Sequence, residues 1–89
     1  MSPMISIPTD QVSAVRRELS RLESKRRWPL TWRAGAEAGQ IRSARIQLGA
    51  AMLEAMEHGW SAVTLDLGDA TDLVIDAHDR VQATAQHAR

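Results

Sequence analysis

Histidine and carboxylate are the side chains here best suited to hold a metal or move a proton. Glu54 and His58 stand one helical turn apart, Asp76, His78 and Asp79 cluster further on, and His87 follows. Zinc needs three or four converging ligands, and no HExxH or comparable spacing occurs. His58, next to Gly59, reads more simply as a basic residue at a helix C-terminus, where it complements the helix dipole. The absence of cysteine excludes disulfides, thiolate zinc sites and cysteine nucleophiles together. There is no GxSxG, no P-loop, no GxGxxG followed by a ribose-binding acid, and no carboxylate pair in an evident cleft. The sequence therefore predicts no metal, no cofactor and no catalytic residue, and the expectation is that this is not an enzyme.

Arginine offers a different chemistry. Arg16, Arg17, Arg21, Lys25, Arg26, Arg27 and Arg33 are concentrated near Trp28 and Trp32. Guanidinium forks pair bidentately with phosphate, and an exposed indole stacks on a base, so this stretch is the candidate nucleic-acid surface. Glu18 and Glu23 interrupt it, and the simpler role for the tryptophans is to anchor the turn in the core or an interface. Residues 30–46 resemble a helix-turn-helix segment, in which Arg42 and Arg45 would read base edges. Gln40 stands where that pattern wants an apolar turn residue and Ile46 falls one place late, so one continuous helix is the simpler reading.

The formal net charge of zero conceals an asymmetry. Residues 1–45 hold nine basic and four acidic side chains, whereas residues 46–89 hold two basic and seven acidic. Arg17, Arg21 and Lys25 form a basic row; Asp69, Asp72, Asp76 and Asp79 form an acidic one at spacings of three, four and three. Either these are solvated faces of amphipathic helices, or they select a partner and its orientation. Exposed ion pairs contribute only ~0–1 kcal/mol each, so such rows specify more than they stabilise.

Apolar periodicity gives the elements that carry these residues. Ile5 and Ile7 alternate with Ser6 between prolines, so residues 1–8 read as an extended arm with 4–7 as its strand-like part. Thr9 or Asp10 caps a helix over 9–27, whose Val12, Val15, Leu19 and Leu22 make a narrow stripe of the kind that packs on one other helix. Trp28-Pro29 ends it. A second helix over 32–58, closed by Gly59, carries Ile41, Ala44, Leu48, Ala51, Met52 and Ala55, with Ile46, Leu53 and Met56 broadening the stripe. That width predicts the middle helix of the bundle, with Gly49 admitting a close neighbour. Residues 61–67 fit a short extended segment pairing with 4–7, or a helical extension broken at Gly68. Asp69, with Asp72 three residues on, caps a last helix over 69–87 bearing Leu73, Val74, Ala77 and Val81.

The expected fold is thus a single, mostly helical domain over 1–89: a small three-helix bundle, or a helical hairpin plus a C-terminal helix, with the short extended pairing. A chain of 89 residues, fourteen of them alanine, builds a thin core. Domains this small bury little more than ~60% of their unfolded surface, and burial against another chain is the usual remedy. The leading expectation is a helical interaction protein acting by self-association, as a homo-oligomer, or by docking on a protein partner. Its faces would be Val12, Val15, Leu19 and Leu22, and Leu73, Ala77 and Val81, so that Leu19→Asp would dissociate the assembly. The alternatives are a nucleic-acid-binding regulator using the first helix and the Trp28–Trp32 turn, and a structural component of a larger, phage-type assembly. No basic leader or run approaching ~20 apolar residues occurs, which predicts no membrane partner and a cytoplasmic location. Ten Arg to one Lys, with the excess of alanine, resembles GC-rich coding and fits a small bacterial or phage adaptor, regulator or inhibitor.

Overall fold

The computed structural model describes residues 4–25 and 32–87. The elements in order are strand β1 (Ile5–Pro8), helix α1 (Thr9–Lys25), helix α2 (Trp32–His58), strand β2 (Ala62–Leu65), a 3₁₀ turn (Gly68–Ala70) and helix α3 (Thr71–His87). The fold is mostly α, with one two-stranded sheet.

β1 and β2 pair antiparallel, Ile5 opposite Leu65 and Ile7 opposite Val63. Side chains alternate across a strand, so Ile5, Ile7 and Val63 turn inward and are buried while Ser6 and Thr64 face out. The extended reading of the 61–67 segment is therefore the one realised, over 62–65. Thr9 closes the ribbon where it enters α1: its N–H and its hydroxyl both donate to Ser61 O, at 2.9 and 3.1 Å. The Thr9 hydroxyl thus fastens strand to helix, and Thr9 is itself the first helical residue rather than a cap.

The central helix is α1, and this corrects the expectation that α2 occupies the middle. α1 packs against both α2 and α3. Val12, Val15, Leu19 and Leu22 are its buried stripe, facing Ile41, Ala44, Leu48 and Ala55 of α2 on one side and Val74 and Ala77 of α3 on the other. The broad apolar signal of α2 comes from two separate faces. Residues two positions apart on a helix project about 200° apart. Ile46 therefore lies across the helix from Leu48, and Leu53 across from Ala55.

Each helix end has its own solution. Gly59, at φ +72°, ends α2 in the left-handed region, and Trp60 N–H donates back to Ala55 O at 2.8 Å, a Schellman closure. Before α3, Gly68 at φ +56° turns the chain, and its N–H donates to Asp66 Oδ1 at 2.9 Å. The helix then starts at Thr71 behind a 3₁₀ turn, so Asp69 lies inside that turn and is not the cap expected of it.

Candidate interaction site

Among the described residues, the outward face of α2 carries the most exposed of the large apolar side chains. Ile46, Leu53 and Met56 are 65%, 70% and 66% exposed, with Gly49 and Ala50 between them. Seven residues separate Ile46 from Leu53, two helical turns, which puts them on one line. Arg42 stands one turn before this stripe and Glu57 at its end. Trp60, half exposed just past the helix, stacks on His58 with ring centroids 4.6 Å apart. The sequence contained this face, but periodicity merged it with the inward one.

The two faces predicted for partners lie elsewhere. Val12, Val15, Leu19, Leu22 and Ala77 are buried inside the single chain, and Leu73 and Val81 are partly buried against the same core. They are core positions, because α1 and α3 already pack on each other within one molecule. Nothing else could cover Leu19, which is fully buried, without first unfolding the chain.

Among the described residues the charged rows do not meet. Asp69, Asp72, Asp76 and Asp79 are exposed, and among the described residues none forms an ion pair with Arg17 or Arg21. The ion pair between α1 and α3 is made instead by Glu18. Arg21 donates to it twice, Nε to Oε2 at 3.1 Å and Nη2 to Oε1, and Arg80 of α3 lies 3.6 Å away. Its hydrogen bond with Arg21, opposed in part by burial, holds the Glu18 carboxyl below its ordinary pKa, and Arg80 adds to the effect.

Between α1 and α2, Glu23 does the corresponding work. Arg42 Nε donates to its Oε1 at 3.2 Å, and Arg45 Nη2 lies 2.9 Å from its Oε2. Arg42 and Arg45 therefore brace α2 against α1, and α2 is unbroken helix over 32–46, the described part of the segment resembling a helix-turn-helix. Arg16 crosses in the opposite direction: its Nε donates to Arg45 O at 3.1 Å and its guanidinium lies over Gly49. Gly49 does admit a close neighbour, and that neighbour is a side chain.

Of the candidate nucleic-acid residues, Arg16, Arg17 and Arg21 are exposed on α1. Arg26, Arg27 and Trp28 lie outside the described residues, as do the side chains of Lys25, Trp32 and Arg33. Arg16 and Arg17, with Ser13, Ser20 and Arg45, line an open groove of about 580 Å³ between α1 and α2. His78 donates Nε2–H to Gln11 Oε1, joining α3 to α1. Among the described residues no three histidine or carboxylate groups gather where they could share a metal ion. No described helix is long and apolar enough to cross a membrane. No protein-family model matches the chain, and no curated protein or solved structure shows significant similarity to it.

Proposed function

We propose that this is a non-catalytic interaction protein that self-associates through the outward face of α2. The observation that carries this reading is the aligned exposure of Ile46, Leu53 and Met56 about a Gly49–Ala50 centre. Large apolar side chains gathered on one face mark a contact surface, whereas single scattered ones do not.

The arrangement along the helix favours a second copy of this chain as the occupant. If two α2 helices cross antiparallel with the two-fold axis between Gly49 and Ala50, Ile46 of one copy meets Leu53 of the other. The same register sets Arg42 opposite Glu57, a cation against an anion at both ends of the contact. An isologous pairing requires this self-complementarity; at the axis Ala50 is small and exposed, while the Arg16 guanidinium already fills the space over Gly49. Covering the three large side chains on each copy brings about 1.5–3 kcal/mol apiece. That total is on the scale of the roughly 4–15 kcal/mol that association costs, so the dimer is of modest affinity.

Light scattering after size exclusion, run over a range of concentrations, tests this. The expected result is a concentration-dependent dimer that Leu53→Asp converts to a single chain without loss of helicity. Glu57→Arg weakens the dimer, and adding Arg42→Glu to it restores part of the affinity. A wild-type protein that stays at the mass of one chain throughout, or a Leu53→Asp variant that keeps the dimer mass, removes the reading.

A further inference from the structure

The groove between α1 and α2 holds an unusual stock of unspent hydrogen-bond donors. Ser13, Arg16, Arg17 and Ser20 recur at three, one and three along α1, which places all four on one side of the helix. Arg45 reaches the groove from α2, paired on its far side with Glu23, and among the described residues no acidic side chain lines the groove.

Each donor is at least partly free. Arg16 spends its Nε on Arg45 O, which fixes the guanidinium and leaves both Nη groups without an acceptor among the described residues. Arg45 gives Nη1 to Ser20 Oγ at 3.0 Å and Nη2 to Glu23, while its Nε–H is buried with no acceptor. Ser20, accepting from Arg45, keeps its own hydroxyl hydrogen to donate. Arg17 and Ser13 make no hydrogen bond among the described residues. That buried N–H is closed to the groove as it is to solvent, so the donors the groove itself offers are the Nη hydrogens of Arg16 and Arg17 and the hydroxyls of Ser13 and Ser20.

We propose that this groove binds a single phosphate group. Planar guanidinium forks match the paired oxygens of phosphate, and hydroxyl donors supply the shorter bonds around them. Two features preorganise the site. The Arg45 carbonyl holds Arg16 in place, and the missing side chain at Gly49 leaves room for its guanidinium, since a Cβ there would stand 3.1 Å from Arg16 Cζ. The phosphate is either free or nucleotide-borne, or part of a polynucleotide backbone.

The test is a titration of the ¹⁵N-labelled chain with inorganic phosphate, ionic strength held constant with chloride and the arginine Nε–Hε resonances observed. Saturable shifts confined to Arg16, Arg17 and Arg45 are expected. Arg17→Gln, an exposed change that leaves the core intact, should weaken the apparent affinity by about tenfold, and Ser13→Ala with Ser20→Ala should weaken it further. Adenosine monophosphate and a short single-stranded oligonucleotide are then added as competitors. Displacement at equal potency per molecule identifies a small phosphate ligand, and displacement that strengthens with oligonucleotide length identifies the nucleic-acid backbone; both support the site. Shifts that rise linearly and are reproduced by chloride overturn it, as does an Arg17→Gln variant with unchanged affinity. So does oligonucleotide binding without any saturable response to phosphate. Arg16 borders both the groove and the Gly49–Ala50 surface, so the titration is repeated on Leu53→Asp. Saturable shifts that persist there hold the phosphate site apart from the dimer, and their loss overturns the site as a property of the single chain.

Discussion

Glu18 shows how a single carboxylate acquires its role from packing. In the sequence it merely interrupts a basic stretch, but in the fold it accepts from Arg21 on its own helix and faces Arg80 on the next. Its folded pKa is lowered, so its contribution to stability is complete above the unfolded carboxylate value near ~4.3. That contribution is lost as pH falls through the folded value. Glu18→Gln should cost no more than about 1 kcal/mol at pH 7, and below the folded pKa the two proteins should converge in urea denaturation. Gly49 is a second case. Alanine there gains about 1 kcal/mol of helix propensity but pushes on the Arg16 guanidinium. Gly49→Ala should therefore change thermal stability little while displacing the Arg16 Nε–Hε resonance. The sequence shows that arginines are plentiful near α1. Which of them are consumed by Glu18 and Glu23, and which remain free, depends on how the helices cross.

Two leucines on neighbouring helices make the contrast at the scale of the element. Leu19→Asp puts a charge at a fully buried position and should abolish cooperative unfolding and helical circular dichroism, instead of dissociating an otherwise folded assembly. Leu53→Asp, at a position 70% exposed, should leave the spectrum unchanged. The Gly59 turn is also testable: a Cβ at φ +72° is strained, and Gly59→Ala should lower stability by about 1 kcal/mol in chemical denaturation. Helix positions and the stop at Gly59 were legible because capping and 3.6-residue periodicity are local. The division of α2 into an inward and an outward face was not. Hydropathy records that Ile46 and Leu48 are both apolar, and only the neighbours decide that one is covered and the other bare.

For the whole molecule, the position of α1 follows from the ribbon. β1 runs directly into α1 at Pro8–Thr9, and β2 must lie beside β1 to pair with it. The chain leaving β2 is thereby delivered to the side of α1 that α2 does not occupy, where α3 settles. Alternation in residues 4–7 and in 61–67 made the pairing readable from sequence. Its consequence for the order of the helices was not, because α2, longer and more apolar, carried the stronger signal. The pairing also spans a large stretch of chain: Thr9 and Ser61, joined at the ribbon's end, are 52 residues apart. Loop-closure entropy opposes such a contact far more than it opposes the adjacent α1–α2 hairpin. The ribbon should therefore form last and open first, taking α3 with it. Native-state hydrogen exchange should show the Val63 and Leu65 amides, which face β1 in the ribbon, released at a lower opening energy than those of Leu19 and Leu48. A molecule caught in that open form presents a bare strand and an uncovered flank of α1, so at high concentration its ribbon can be completed by another chain's strand, in a domain exchange.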